Sequence, residues 1–126
     1  MEEIITLNNS EWKVMDCLWN NEPKTIMQLV HELQASAGWS KSTTTTVVRR
    51  MEQKQCLRYE EGNKSRLYYP ILKREDVALS EAESLLEKAF HGNIGTMVNT
   101  LISRNRLSKE ELLELKEILH KAGEYK

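Results

Sequence analysis

Two alternating segments, Leu57-Arg58-Tyr59-Glu60 and Arg66-Leu67-Tyr68-Tyr69, constrain this chain more than any other feature. Each has the period of two that a strand requires. Between them, Glu61-Gly62-Asn63-Lys64-Ser65 supplies turn residues that accept positive φ. The pair predicts a β-hairpin with a basic tip, ended by Pro70, with Leu57, Tyr59, Leu67 and Tyr69 on one face. Every other periodic stretch reads as helix, so the expected fold class is mainly α with a small β-hairpin.

Three helices are expected before the hairpin. Trp12, Met15, Leu18 and Trp19 recur at helical spacing behind Ser10, the expected N-cap, with Lys13 at the third helical position. Asn20-Asn21-Glu22-Pro23 ends that helix. Thr25 caps a second one, striped by Ile26, Leu29, Val30 and Leu33 and closed by Ala37-Gly38. The third segment, Ser40 to Arg50, carries four consecutive threonines between Lys41 and Arg49-Arg50. By propensity alone Thr43 to Val48 is a strand. Three features oppose this: Ser40 or Ser42 can cap, Thr44, Val48 and Met51 fall four and three apart, and Glu52-Gln53-Lys54-Gln55 continues in good helix formers. Three helices followed by a hairpin make a winged helix-turn-helix, in which the third helix enters the major groove and the hairpin reaches the adjacent backbone.

Composition shifts after Lys73. Ser80 to Phe90 is amphipathic, with Ala82, Leu85, Leu86, Ala89 and Phe90 on one stripe, and Gly92 and Gly95 bracket a break. Ile94, Met97, Val98, Leu101 and Ile102 form a second stripe. Ser108 and Glu111 form a capping box ahead of Leu112, Leu115, Ile118, Leu119 and Ala122. Three helices this short do not readily bury so much apolar surface alone. The expected organisation is therefore a DNA-binding domain over 1–73 and a three-helix dimerisation domain over 74–126. Leu85, Leu86, Phe90, Met97, Val98, Leu101, Leu112, Leu115 and Leu119 are the candidates for the dimer contact.

The net charge of -1 is unevenly spread. Residues 1–40 carry -4, residues 41–74 carry +6, and the remainder carries -3. A basic middle between acidic flanks concentrates positive potential on one face if it is contiguous in space. Lys41, Arg49, Arg50 and Lys54 suit phosphate neutralisation, as do Lys64 and Arg66 on the wing. Ser42, near the start of the third helix, is a further candidate for DNA contact. Thr43, Thr45 and Thr46 suit the groove, because a hydroxyl donates or accepts and a threonine methyl meets a thymine methyl. With no Asn or Gln at the start of this helix, modest direct readout and much dependence on backbone and DNA shape are expected. Arg66 can instead pair with Glu60 across the hairpin.

Cys17 and Cys56 are isolated and lack the paired spacing of a zinc or redox site, and Cys17, in an apolar pattern, is expected to be a buried reduced thiol. His31, His91 and His120 form no metal-ligand pattern, and no nucleophile has an adjacent base, so neither metal, cofactor nor enzymatic activity is expected. Met1 to Leu7 does not read as a signal peptide and no apolar run is long enough to span a bilayer, so the expected location is cytoplasmic with no membrane insertion.

Taken in order, Ser10-Glu11-Trp12-Lys13-Val14-Met15, Leu18-Trp19, Trp39-Ser40 with Thr43, Arg50-Met51, Tyr68-Tyr69-Pro70, Leu107-Ser108, Glu111-Leu112 and Leu115 resemble the penicillinase-repressor family almost end to end. That family comprises regulators of β-lactamase and methicillin-resistance genes, with copper-responsive relatives. The resemblance implies a homodimeric repressor on a palindromic double-stranded operator. It also implies relief of repression through a sensor-linked protease that cuts in the dimerisation domain. The family's cleaved Asn-Phe bond corresponds by position to Thr100-Leu101, so this chain departs from the pattern there. It also ends without the cysteine cluster of the copper-responsive branch. Where the family often has Lys-Thr-Val or Lys-Thr-Ile, it has Ser42-Thr43-Thr44. The alternative from another class is a winged-helix module that binds a protein partner and no DNA.

Overall fold

A computed structural model describes residues 6–124. In chain order the elements are α1 (Asn9–Asn20), α2 (Ile26–Ala37), α3 (Lys41–Gln53), β1 (Leu57–Glu61), β2 (Arg66–Pro70), α4 (Arg74–Phe90), α5 (Ile94–Ser103) and α6 (Lys109–Glu124). They fall into two compact units, Met1–Ala82 and Glu83–Lys126. The first unit thus includes the opening turns of α4.

The stops and starts follow from local chemistry. The α1 cap is Asn8, not the expected Ser10. Its side chain accepts from the Glu11 N–H at 2.8 Å, while the Glu11 carboxylate accepts from the Asn8 N–H at 3.0 Å. Asn8 and Glu11 make a complete capping box, whereas Ser10 would have placed Lys13 at the reciprocating position. In α2, Thr25 and Gln28 form the same box, and Gly38 ends the helix at φ 69°, a left-handed conformation that costs glycine little. The turn Gly38-Trp39-Ser40 leads directly into α3, and Ser40 accepts from the Thr43 N–H.

The threonine run is helical, as the neighbouring sequence required. Thr44, Val47, Val48 and Met51 are buried, and they lock α3 onto a core made with Val14, Met15 and Leu18 of α1 and Leu29 and Leu33 of α2. Each fully buried aliphatic side chain contributes roughly 1.5–3 kcal/mol, ample to override the β-propensity of threonine and valine. Beyond Lys54, the Cys56 N–H bonds the Met51 carbonyl and the Gln55 N–H bonds the Glu52 carbonyl. This places Gln55 at φ 63°, where glycine is usual.

The hairpin is antiparallel, with Leu57 opposite Pro70, Tyr59 opposite Tyr68 and Glu61 opposite Arg66. This register corrects the expected faces. Leu57 and Tyr59 share a face with Tyr68 and Arg66, while Leu67 and Tyr69 lie on the other face with Arg58. Leu57 and Tyr68 are the residues that enter the core. Lys24 pairs with Tyr68 along the outer edge of β2, the two exchanging backbone bonds at 3.2 and 2.8 Å. At the tip neither Gly62 nor Asn63 has a positive φ. Glycine is needed at 62 because a Cβ there would meet the Ser65 carbonyl oxygen at 2.5 Å, opposite the Gly62 N–H bond to the same atom.

α4 begins at Arg74, earlier than the expected Ser80, with Glu75 and Asp76 in its first turn, where the helix dipole favours acids. Val77 is fully buried. Trp19 Nε1 donates to the Leu72 carbonyl at 2.9 Å, and the Arg74 guanidinium lies over the Trp19 ring while pairing with Asp16 at 3.2 Å. Trp12, Trp19 and Trp39 all stand at the edge of the core.

In the second unit, Asn93 caps α5, and the Ser108–Glu111 box caps α6 as expected. None of its described residues is fully buried. Leu86, Phe90, Met97, Val98, Leu112 and Leu115 are half-buried, whereas Leu85, Leu101 and Leu119 are exposed together with Ile94, Ile102, Leu113 and Ile118.

Candidate nucleic-acid interface

The buried side of α3 determines what its other side presents. With Thr44, Val47, Val48 and Met51 turned inward, Lys41, Ser42, Thr43, Thr46, Arg49 and Arg50 are exposed and Thr45 is half-buried. Lys41, Thr45 and Arg49 succeed one another at intervals of four, and with Ser42 and Thr46 they line a shallow groove along the helix. The 13 residues of α3 give it a length of about 20 Å at 1.5 Å per residue. The first turn contains no acid, so the positive end of the helix dipole and Lys41 reinforce each other. Thr43 is occupied at the cap: its N–H bonds the Ser40 hydroxyl at 3.1 Å, and the two hydroxyls lie 3.0 Å apart.

Lys54 is differently placed from the other cations. Its ammonium donates to Glu11 Oε2 at 2.7 Å, and the Glu11 side chain is only 2% exposed. Burial pushes the Glu11 carboxyl upward. The Lys54 ammonium, the Asn8 N–H and the nearby Arg50 charge outweigh that and hold it below its ordinary value. Glu11 was not among the expected site residues. The one available signal was its position three residues after Asn8.

On the wing, the Arg66 guanidinium lies 4.1 Å from the Tyr59 ring centre and 3.4 Å from the Glu61 carboxylate, not on Glu60. Glu60 pairs with Arg58 at 3.0 Å, and Arg58 stacks on Tyr69 at 4.3 Å. Each hairpin face thus carries an arginine held on a tyrosine ring. Arg58 escaped the sequence reading because its stacking partner depends on register. Lys64 is exposed in the turn.

Elsewhere, Cys17 is half-buried against the core and not fully buried as expected, and burial pushes its thiol up to about 11. Among the described residues no cluster of His, Cys, Asp or Glu could hold a metal ion, and no helix is long and apolar enough to cross a membrane.

Comparison with known proteins bears on this arrangement. The family model described as penicillinase repressor matches residues 7–121, nearly the whole chain. The chain belongs to the penicillinase repressor family. Among curated relatives, the methicillin resistance regulatory protein MecI of Staphylococcus aureus (strain N315) is 25% identical over 115 residues, 91% of this chain and 94% of that protein. The penicillinase repressor of Bacillus licheniformis is 26% identical over 119 residues, 94% of this chain and 93% of that protein. Among solved structures, the monomeric form of Bacillus licheniformis BlaI in complex with the blaP half-operator aligns at a TM-score of 0.53 and 24% identity. It covers 60% of this chain and 93% of its own, and this likeness supports the winged-helix fold. The repressor role that the family resemblance implied goes with membership of the family.

Proposed function

We propose that this repressor acts as a homodimer on a palindromic double-stranded operator, with α3 in the major groove and the β1–β2 wing on the flanking backbone. One observation carries the reading: the face of α3 opposite its buried stripe holds Lys41, Ser42, Thr46, Arg49 and Arg50 outward from one rigid helix. Arg66, held on Tyr59, and Lys64 extend the positive surface along the wing. The second copy joins through the apolar side chains of Glu83–Lys126, none of whose described residues is fully buried within one chain. Relief of repression by a sensor-linked protease at Thr100-Leu101 would require α5 to unwind. That bond lies inside the helix, and the Thr100 hydroxyl bonds the Thr96 carbonyl at 2.8 Å.

Fluorescence anisotropy on operator DNA over a salt series tests the DNA reading. Affinity should fall linearly on logarithmic axes, and Lys41→Ala or Arg50→Ala should each lower the slope by about 1 while weakening all sequences alike. A shallow slope left unchanged by both substitutions would favour the protein-partner module instead.

A further inference from the structure

The threonines of α3 are not equivalent in what they can offer a base pair. Thr44 is fully buried, and its hydroxyl has no hydrogen-bond partner among the described residues. Thr43 is engaged with Ser40 at the cap. The Thr45 hydroxyl donates to the Lys41 carbonyl at 2.8 Å, so its only proton is turned back on the helix. Thr45 nevertheless lines the exposed groove between Lys41 and Arg49. Thr46, also in that groove, is exposed and makes no side-chain hydrogen bond among the described residues.

A hydroxyl without a free proton cannot donate to the acceptors that guanine and thymine present in the major groove. Its oxygen can still accept from the amino groups of adenine and cytosine, but towards thymine the methyl is the group Thr45 has to offer. In the major groove the apolar mark is the C5-methyl of thymine. We infer that Thr45 reads a thymine methyl in each operator half-site, while Thr46 supplies the hydrogen-bonding contact beside it. The inference rests on α3 being the groove-reading helix and assigns specificity within that reading. It also accounts for a recognition helix that lacks Asn and Gln at its start: the information is carried by methyl groups between two cations.

The test begins with an operator selected from random duplexes by the full-length protein. Each thymine is then replaced in turn by deoxyuracil, which removes only the methyl, and affinities are compared. At one thymine per half-site the wild type should weaken by about fourfold, as expected for one methyl group returned to water. Thr45→Ser keeps the hydroxyl and loses the methyl, so it should bind the thymine and uracil duplexes equally. Thr45→Val keeps a methyl and should retain the discrimination, and Thr46→Val should lose affinity without changing the ratio. The ratio is internal to each protein, so a partly unfolded variant does not distort it. Discrimination that persists in Thr45→Ser, or a wild type indifferent to every uracil, overturns the inference and leaves operator binding intact. If selection enriches no sequence, the DNA reading falls and the methyl assignment with it.

Discussion

Glu11 shows how much can depend on one residue. It is the reciprocating member of the α1 cap and at the same time the counter-ion of Lys54, the residue that ends α3. The start of α1 and the end of α3 are therefore joined through one buried carboxylate. Its folded pKa is depressed below the ordinary 4.5. The stabilisation is therefore fully present above 4.5 and is lost as pH falls through the lower folded value. Glu11→Gln should cost about 1.5 kcal/mol near neutral pH, the value of a hydrogen bond to a charged group. The figure stays at the low end because the Lys54 side chain is 46% exposed and can return to water. Urea unfolding of both proteins across the acid range should show the gap closing as pH drops below 4.5. A gap independent of pH would mean that the carboxylate charge contributes nothing.

Among the elements, the wing is the most exacting in geometry. A Cβ on Gly62 would press within 2.5 Å of the Ser65 carbonyl, a backbone atom that cannot swing away without opening the tip. Gly62→Ala should lower the stability of the first unit by about 1–3 kcal/mol, the usual range for a strained site. It should also weaken operator binding by displacing Lys64 and Arg66. Thermal unfolding and anisotropy check the two effects, and a variant unchanged in both would show that the tip adjusts freely. The helices were largely readable in the sequence because Thr25–Gln28, Ser40–Thr43, Ser108–Glu111 and Gly38 act within one turn. Asn8 and Ser10 compete for the α1 cap, and the pattern alone does not separate them; the reciprocal Glu11 does. The faces of the hairpin could not be read the same way. Alternation alone does not say which residue of β2 stands beside Tyr59; the cross-strand register does, and it brings Tyr68 there in place of Tyr69. The stacking of Arg66 on Tyr59 and of Arg58 on Tyr69 follows from that register. Likewise, α3 was recognisable as a helix, but the commitment of each threonine hydroxyl depends on rotamers that no pattern in the sequence encodes.

At the scale of the whole molecule, the two units pose opposite problems. The first encloses a core under α1, α2, α3 and the hairpin. The second has amphipathic helices but no fully buried residue among those described. A dimer that joins the second units, as proposed, would resolve this and would also bring two copies of α3 to one operator. Linkage of that kind raises avidity by about 100-fold or more over a single half-site contact. Leu115→Asp or Leu101→Asp should therefore lower the mass found by sedimentation and weaken binding to a full operator by a similar factor. Binding to an isolated half-site should change little. All three tryptophans lie in the Met1–Ala82 unit, so their emission reports whether that unit stays folded when dimerisation is lost. Unchanged emission with halved mass and weakened full-operator binding is the expected outcome. A wild type that sediments as a monomer at micromolar concentration, or a monomeric variant that holds the full operator as tightly, would contradict the assignment of these helices to dimerisation.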